Sequence, residues 1–452
     1  MDDVGCANKT SCPKDSALSY CYFVGAFAAA YAIKDSFAIL HTPSGCHKRA
    51  QYFWSMHDDL GSLDRQVSTN IVDKDIIFGT EGKLKKMIVD VYERYHPKIL
   101  FIITSCAPEI IGFDFNLVLN DLKRTLNCRI IPVYAAGFRG NFFDGYCESL
   151  SMLCDTIPYV NQSKKEQTNI IGYFFDRYEA DNYSNLKEFD RLLSKLNLKI
   201  NSVFLNGQGY GGLVNAPKAA YNVVFPYGKK CGEKLKTRFN QTNICCDLPI
   251  GIPLTCTFIR EIGKNTGRIK PAEKLIDDEL KYVVPRLQSI IPITAGKTAA
   301  VFADPQKIPG LVTHLLDIGI EPSIIGIHQG KTADGSRIKT IIKQFGSHYS
   351  PLVSIDPKRD ESTKAVTKKD VDFVLGSTVE AWDMSELNVP VIQVSAPLYE
   401  EHCIYDTPIV GFEGCLSLSQ KIVNTLNKGR NQRKDEKRKL KKLEMNEYFI
   451  GN

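Results

Sequence analysis

Short apolar runs alternate with amphipathic segments along most of the chain. Ser36–Leu40 and Lys98–Thr104 are dominated by apolar residues over the length of a strand, whereas Lys83–Tyr95 repeats its apolar residues at helical spacing. Continuous apolar strands that alternate with helices are typical of parallel sheets covered on both faces. The pattern therefore predicts an α/β protein made of doubly wound, Rossmann-like domains with mostly parallel sheets.

The alternation falls into three blocks, with polar breaks near Asn161–Gln167 and Thr294–Thr298. A chain of 452 residues is too long for one hydrophobic core, so two to three domains are expected. The predicted strands are Ser36–Leu40, Lys98–Thr104 and Arg129–Tyr134; Asn169–Tyr173, Ile200–Leu205 and Ala219–Val224; and Thr298–Phe302, Ser323–Ile327, Phe373–Leu375 and Val389–Val394. We expect three α/β domains and a basic tail, with the bounds 1–162, 163–295, 296–427 and 428–452.

The net charge of +6 is concentrated at the C-terminus. Residues 428–452 contain nine Lys or Arg and four Asp or Glu, so they carry +5 and the rest of the chain only +1. A nearly neutral body gives no electrostatic footprint for nucleic acid. The chain has no signal-peptide pattern and no apolar run of about 18 residues. We expect a cytoplasmic protein that binds neither nucleic acid nor membranes, with the tail as a solvated helix or, alternatively, a segment that docks onto an acidic partner.

Fourteen cysteines are many for a chain without an export signal, which does not need a disulfide framework. Many of them are expected to be small buried side chains. The paired C-x2-C motifs of structural zinc sites do not occur. The remaining possibility is that a subset of the cysteines binds another metal.

Three cysteines occur where chemistry is expected in such a fold. Cys46 lies in a stretch that follows a predicted strand, where Pro43 and Gly45 favour a sharp loop. Cys106 follows another predicted strand, and Cys21 opens an apolar helical segment. Because ligands of doubly wound folds bind at the carboxyl ends of strands, these thiols can converge. Soft thiolates at such an edge suit an iron–sulfur cluster, while packing of the thiols in the core is the alternative.

The sequences around these cysteines resemble the three cysteine motifs of the nitrogenase component 1 family. The motifs are Cys21–Ala26, His41–Cys46 and Ser105–Asp114, and weaker similarities follow at Phe78–Leu84, Gly137–Gly140, Leu248–Ile252 and Gly411–Gly414. Their order, spacing and domain rhythm agree with the family over roughly residues 15–427. That family includes both chains of nitrogenase, the scaffold chains of cofactor assembly and the reductases of tetrapyrrole pathways.

The resemblance implies that Cys21, Cys46 and Cys106 bind an iron–sulfur cluster, either 4Fe–4S or P-cluster-like. Three thiolates do not complete a four-cysteine site. The resemblance implies that the other ligands come from a homologous component 1 subunit, in a hetero-oligomer such as α2β2, or from a second copy of this chain. It also implies a separate ATP-dependent iron protein as the electron donor. The GxxxxGK[ST] phosphate-binding motif is absent from this sequence, so ATP hydrolysis is not expected of this chain itself.

The expected function is that of a subunit in a nitrogenase-like oxidoreductase. It would pass electrons from the cluster to a substrate or to a second cofactor, which is another metallocofactor or a tetrapyrrole. The first alternative is a non-catalytic scaffold for the assembly of a nitrogenase-type metallocofactor. The second is a metal-free binding protein whose cysteines are packed in the core.

Other candidate residues match the family less well. Nitrogenase alpha chains hold their large cofactor with one cysteine and one histidine. Val224 falls near the cysteine position, Cys231 lies seven residues further on, and His402 is one residue out of register with the histidine. His402 is a weak catalytic candidate beside its interpretation as a structural histidine. Arg139, the second weak candidate, either binds an anionic group or pairs with a local carboxylate.

Two further motifs have simple structural interpretations. Gly207, Gly209 and Gly212 satisfy the G-x-G-x-x-G pattern of dinucleotide sites, but a turn from strand to helix explains them equally. Cys6 and Cys12 could supply a fourth ligand or a second cluster, and the simpler expectation is free thiols in an irregular N-terminus.

Overall fold

The structure is a computed structural model that describes residues 16–55, 64–159, 164–174, 181–346, 349–401 and 403–428. In this part of the chain, all pairs between named strands are parallel and form three sheets. The predicted fold class, α/β with parallel doubly wound sheets, is thus confirmed. Cys6, Cys12, His402 and the tail beyond Lys428 lie outside the described residues. Within the described ranges, no helix combines the length and apolar character needed to cross a membrane.

The chain separates into two compact units. The first comprises residues 1–178 and 197–246, and the second comprises residues 179–196 and 247–452. The first unit contains two of the three sheets, and the second unit contains the third. The domain bounds at residues 162 and 295 stay a prediction.

The first sheet has the strand order β2-β1-β3-β4. Its strands are β1 (Ser36–His41), β2 (Gln66–Ser68), β3 (Ile99–Thr104) and β4 (Arg129–Val133). Its helices are α1 (Tyr22–Tyr31), α2 (Ser44–Ser55), α3 (Asp73–Phe78), α4 (Glu81–Tyr95), α5 (Cys106–Ile110), α6 (Asn116–Thr125) and α7 (Phe142–Thr156). β1 and β3 are buried along their whole length and pair in register, so that His41 lies opposite Thr104. Their carboxyl ends therefore lie side by side, and each leads into a helix that bears a cysteine.

The sharp loop predicted around Cys46 is wrong. Helix α2 begins at Ser44, and Cys46 lies in its first turn. Pro43 ends the preceding segment, and its carbonyl accepts a hydrogen bond from the His47 amide at 3.3 Å, which starts the helix. Gly45 is helical and has no positive φ, so its freedom is not used for a bend.

The second sheet has the order β6-β5-β7-β8. Its strands are β5 (Lys164–Ile171), β6 (Lys199–Val203), β7 (Ala219–Val224) and β8 (Thr242–Cys245), and the connecting helices are α8 (Asn182–Lys195), α9 (Tyr210–Val214) and α10 (Lys229–Phe239). Helix α8 connects β5 to β6 in sequence but belongs to the second unit. The Cys154 sulfur in α7 and the Cys231 sulfur in α10 form a disulfide, which the sequence did not predict.

Side-chain amides form a hydrogen-bonded ladder across this second sheet. Asn201 donates to Asn169 at 2.9 Å, and Asn169 donates to Asn222 at 2.8 Å. Asn222 in turn donates to Gln241 at 3.2 Å and to Asn243 at 3.1 Å. Because an unpaired buried amide is costly, this amide ladder links the four strands by their side chains as well as by their backbones.

The second unit contains the third sheet, with the order β11-β10-β9-β12-β13. Its strands are β9 (Lys297–Ala303), β10 (Ile320–Ile327), β11 (Leu352–Ile355), β12 (Phe373–Gly376) and β13 (Val391–Gln393). Its helices are α8 and α11 (Ile252–Thr266), α12 (Ile269–Thr294), α13 (Ile308–Asp317), α14 (Thr332–Phe345), α15 (Arg359–Lys369), α16 (Thr378–Met384) and a helix over residues 411–428. Arg191 of α8 lies 2.5 Å from both the Glu188 and the Glu279 carboxylate, and the Glu188 side chain is almost fully buried.

Candidate functional site

Gly137 lies close to two of the three predicted cluster ligands. A Cβ atom at this glycine would be 3.4 Å from Cys106 Sγ and 3.9 Å from Cys21 Sγ, so the two sulfurs are neighbours. The Gly137 amide donates a hydrogen bond to Cys106 Sγ at 3.0 Å. Cys46 lies close enough to Cys21 for its charge to affect the ionisation of the Cys21 thiol. The structure thus brings Cys21 and Cys106 together around Gly137, with Cys46 nearby.

The packing of α1 against α7 places Cys21. Cys21 is the N-cap residue of α1 and forms an isolated antiparallel bridge with Asn141, which precedes α7. The two helices approach each other so closely that a Cβ atom at Gly145 would lie 2.0 Å from the Tyr22 carbonyl oxygen. Gly25 meets the backbone of α7 in the same way, with 1.8 Å from a Cβ atom to the nearest carbonyl oxygen. Any larger side chain at these glycines would move α1, and Cys21 with it.

Hydrogen bonds between buried hydroxyls fix the segments that carry the other two cysteines. Thr42 Oγ1 donates to Ser105 Oγ at 2.8 Å, which ties the segment before Cys46 to the residue before Cys106. His41 lies 3.0 Å from the Thr69 hydroxyl through Nδ1 and 3.0 Å from the Thr80 hydroxyl through Nε2. The segment that leads into α2 is therefore held by hydrogen bonds to the residue before α5 and to the loops that follow β2 and precede α4.

Glu109 connects the helix that bears Cys106 to the Gly137 turn. Its Oε1 atom accepts hydrogen bonds from the Thr104 hydroxyl and the Ala136 amide, both at 2.8 Å. Its Oε2 atom accepts from Arg139 Nε at 2.6 Å. The Glu109 side chain is only 4% exposed, whereas that of Arg139 is 45% exposed. Arg139 thus pairs with a local carboxylate, which is the second of the two alternatives drawn from the sequence.

The ionisation of Cys21 reflects the crowding of thiols. Burial raises the pKa of Cys21, and the charges of Cys46 and Cys106 raise it further, while the backbone amides of Phe23 and Val24 lower it. Neighbouring thiolates repel each other unless cations lie between them. This donor set therefore fits a cationic metal group that is bound in common by the three thiols.

The three thiols are not grouped as a site for a single metal ion. Within the described ranges, no three His, Cys, Asp or Glu side chains are grouped so as to hold a single metal ion. In an iron–sulfur cluster, by contrast, each cysteine binds its own iron atom, and the sulfurs lie further apart. Binding of such a cluster by Cys21, Cys46 and Cys106 stays a prediction.

Exposed apolar side chains border the cysteines. Ile110 and Ile111, at the end of α5, are 72% and 40% exposed, and Phe138, which follows Gly137, is 58% exposed. We call these three residues the apolar rim. The hydrogen bonds from Gly137 to Cys106 and from Arg139 to Glu109 join the two segments that carry these side chains, and clusters of exposed apolar side chains mark interaction surfaces in soluble proteins. The cysteines therefore lie next to a surface that suits a protein partner.

Three other candidates from the sequence have structural roles of their own. Val224 is the last residue of β7, and the disulfide with Cys154 removes Cys231 as a free thiolate. The glycine motif forms a turn into the short helix α9, where the Tyr210 amide donates to the Asp35 carboxylate at 2.6 Å. The Tyr210 amide, which would donate to a phosphate in a dinucleotide site, is thus already hydrogen-bonded to a carboxylate of this chain.

Sequence reasoning missed the roles of Gly137 and Glu109. Both residues lie within motifs that resemble the family, at Gly137–Gly140 and Ser105–Asp114. A carboxylate partner of Arg139 was one of the two alternatives drawn from the sequence. The identity of that partner was not accessible, because Glu109 lies 30 residues away along the chain.

Comparisons with known proteins agree over nearly the whole chain. The family model of nitrogenase component 1 type oxidoreductases matches residues 21–427. The nitrogenase iron-molybdenum cofactor biosynthesis protein NifE of Clostridium pasteurianum is 26% identical over 404 residues, which cover 84% of this chain and 83% of that protein. The nitrogenase molybdenum-iron protein beta chain of Methanothermobacter thermautotrophicus is 22% identical over 454 residues, which cover 94% and 97%.

A solved structure shares the fold. A chain of nitrogenase Cp1 at pH 6.5 superimposes with a TM-score of 0.80 at 17% identity, over 94% of this chain and 95% of that chain. At this identity the likeness concerns the fold alone. The family model, in contrast, spans all three sheets and the three cysteine motifs. This chain belongs to the family of nitrogenase component 1 type oxidoreductases.

Proposed function

We propose that this chain is a subunit of a cytoplasmic, nitrogenase-like oxidoreductase and that Cys21, Cys46 and Cys106 are its ligands to an iron–sulfur cluster. The observation that carries the proposal is the convergence of Cys21 and Cys106 on Gly137, whose amide donates to the Cys106 sulfur. When bound, such a cluster supplies one-electron transfer to a substrate or to a second cofactor. In this chain, the three thiols hold the cluster, and the Gly137 amide stabilises negative charge on one sulfur.

The proposal includes a partner subunit. Three thiols are fewer than the four ligands of a four-iron cluster, so the chain offers only part of a site. The apolar rim of Ile110, Ile111 and Phe138 lies next to the cysteines and suits a dry protein interface. We assign to it a homologous component 1 subunit, or a second copy of this chain, which supplies the missing ligands. The electron donor is a separate ATP-dependent iron protein.

Iron content after anaerobic purification tests the ligand set. The chain is co-expressed with a candidate partner subunit, and iron and acid-labile sulfide are quantified together with the EPR spectrum of the reduced complex. Replacing Cys46 or Cys106 with Ala is expected to remove or destabilise the cluster. Cys245→Ala is the matched control, because Cys245 is an exposed free thiol in the same unit and lies at the end of β8.

Two outcomes would contradict the proposal. Negligible iron and sulfide in the wild-type complex would favour the metal-free binding protein. Unchanged iron in Cys46→Ala or Cys106→Ala, with the same unfolding midpoint as the Cys245→Ala control, would show that the ligand set is wrong. Equal loss of iron in all three variants would point to general disruption of the fold rather than to ligation.

A scaffold for cofactor assembly is the second candidate function. Two observations favour it: the similarity to a cofactor biosynthesis protein, and the disulfide that ties up Cys231 near the position of the cofactor-binding cysteine of nitrogenase. A scaffold would carry an exchangeable cluster and transfer it to an acceptor protein in a single event. An oxidoreductase would keep its cluster through many turnovers of a small substrate. Incubation of the iron-loaded complex with an apo-acceptor, followed by iron analysis of both proteins, separates the two functions.

A further inference from the structure

Two consecutive backbone amides of the Gly137 turn serve two different acceptors. The Ala136 amide donates to Glu109 Oε1 at 2.8 Å, and the next amide, that of Gly137, donates to Cys106 Sγ at 3.0 Å. Both acceptors belong to helix α5, because Cys106 begins this helix and Glu109 lies within it. The carboxylate and the sulfur therefore hold the same turn at adjacent points.

The carboxylate of Glu109 is fixed from three directions. Besides the Ala136 amide, it accepts from the Thr104 hydroxyl at the end of β3 and from Arg139 Nε in the turn itself. The Glu109 side chain is only 4% exposed, although that of Arg139 is 45% exposed, and charge-assisted hydrogen bonds are stronger than those between neutral groups. Arg139 also balances the negative charge that Glu109 adds near the thiols.

The loss of Glu109 would act on the sulfur through the turn. Ala136 is fully buried, and its amide would be left without its acceptor, so the turn would have to shift or to open. The neighbouring hydrogen bond from the Gly137 amide to Cys106 Sγ would weaken with it. Hydrogen bonds to cluster sulfurs are among the factors that set the reduction potential of an iron–sulfur cluster, since they stabilise the additional electron.

We propose that Glu109, held by Arg139, is a positioning residue that keeps the Gly137 amide on the Cys106 sulfur and thereby raises the reduction potential of the cluster. This inference rests on the proposed function, because it assumes that Cys106 is a cluster ligand. Glu109 itself touches the turn and not the metal group. Its effect is therefore expected on the potential of the cluster and not on the capacity to bind it.

Two measurements on the full chain test the inference. In the metal-free protein, hydrogen–deuterium exchange is followed in a peptide that covers Ala136 and Gly137. In the iron-loaded complex, the midpoint potential is obtained by EPR-monitored redox titration. Glu109→Ala is expected to speed exchange of these amides about tenfold and to have a more negative potential than Glu109→Gln, which carries the same change of charge, at an iron content near that of the wild type.

Two further variants separate the charge of Glu109 from its hydrogen bonds and guard against misfolding. Glu109→Gln retains an oxygen that can accept from Thr104 and Ala136 but loses the ion pair with Arg139. Because both Glu109 variants remove the same negative charge, which by itself raises the potential, the difference between them reports the hydrogen bonds. Glu109→Gln is expected to exchange these amides more slowly than Glu109→Ala and to have the less negative potential. Glu273→Gln is the matched control, because Glu273 accepts from Arg260 in an exposed ion pair of the second unit. This control is expected to leave both measurements unchanged.

The outcomes distinguish this inference from the proposed function. A wild-type complex without a cluster would overturn the proposed function and the inference with it. A loaded cluster whose potential is equal in Glu109→Gln and Glu109→Ala would overturn the inference alone. Faster exchange in Glu109→Ala without this difference in potential would also overturn it, because Glu109 would then be a merely structural residue. If Glu109→Ala does not fold, Glu109→Leu, which removes the same charge and also offers no acceptor, replaces it in the comparison with Glu109→Gln.

Discussion

Acidification should destabilise the first unit through His41. The pKa of His41 is lowered from an ordinary value of 6.5 to about 4, mainly by burial. The charge of Lys83 contributes to the decrease, and the charge of Asp75 opposes it. The hydrogen bonds to Thr69 and Thr80 survive protonation, since hydroxyl oxygens can accept from both ring N–H groups. The energetic cost of protonation is thus mainly that of placing a charge in a buried site.

The sign and size of the effect follow from this shift in pKa. In the unfolded chain His41 takes up a proton near pH 6.5, whereas in the folded chain it does so only near pH 4. Stability is therefore lost as the pH falls between these two values. The complete loss below pH 4 is about 3 kcal/mol. Between pH 7 and pH 5, His41 is expected to account for about 2 kcal/mol.

Urea unfolding of the metal-free chain measures this contribution. The chain contains two tryptophans, and Trp382→Phe leaves Trp54 of α2 as a fluorescent probe in the first unit. In this background, His41→Gln keeps a hydrogen-bonding side chain but removes the titrating group. The variant should be less stable at pH 7, yet it should lose about 2 kcal/mol less than its parent between pH 7 and pH 5.

A second buried histidine does not disturb the comparison. Burial also lowers the pKa of His314 to about 4, but His314 lies in the second unit and is present in both proteins. Its contribution therefore cancels in the difference between them. Equal pH dependence of the two proteins from pH 7 to pH 5 would refute the assignment of this proton linkage to His41.

Two further predictions concern packing and buried charge. Gly145→Ala should destabilise the first unit by about 2 kcal/mol or more, because its Cβ atom meets the Tyr22 carbonyl, whereas Gly82→Ala, in open space on α4, should stabilise it by about 0.5–1 kcal/mol. Thermal unfolding checks both, and equal effects would refute the close approach. Arg191→Met should cost the second unit about 3–5 kcal/mol by leaving Glu188 buried without its cation. In a Trp54→Phe background, unfolding followed through the fluorescence of Trp382 measures this loss, and a change below about 1 kcal/mol would contradict it.

The sequence predicted the central strands well and missed three of the six edge strands in the described part of the chain. Ala219–Val224 was predicted with the bounds that the structure gives to β7, because its apolar run is long and covered on both sides. The short strands β2, β8 and β11 were not predicted, and each is the outermost strand of its sheet. An edge strand of three or four residues is partly exposed and carries little apolar signal. Its pairing depends on the neighbouring strand and not on its own sequence.

The sequence allowed the three thiols of the site to be predicted, but not the hydrogen bonds and ion pair that position them. Cys21, Cys46 and Cys106 stood out because their motifs resemble a known family. The hydrogen bond from Thr42 to Ser105 and the ion pair between Glu109 and Arg139 join residues 63 and 30 positions apart. Such contacts depend on how the helices and turns meet at the sheet edge, which local sequence patterns do not encode.

The amide ladder of the second sheet has a consequence for how this part of the chain folds. Asn169 is buried and forms hydrogen bonds with Asn201 on one side and with Asn222 on the other. A sheet that lacks either neighbouring strand would therefore leave the Asn169 amide without one of its hydrogen-bond partners. Partly assembled sheets are thereby penalised, and a slip of one residue in register would turn the amides to the opposite face. We expect all four strands to form in a single cooperative step. Amides of β5 to β8 that exchange hydrogen at a common rate under native conditions would support this expectation, and separate rates would contradict it.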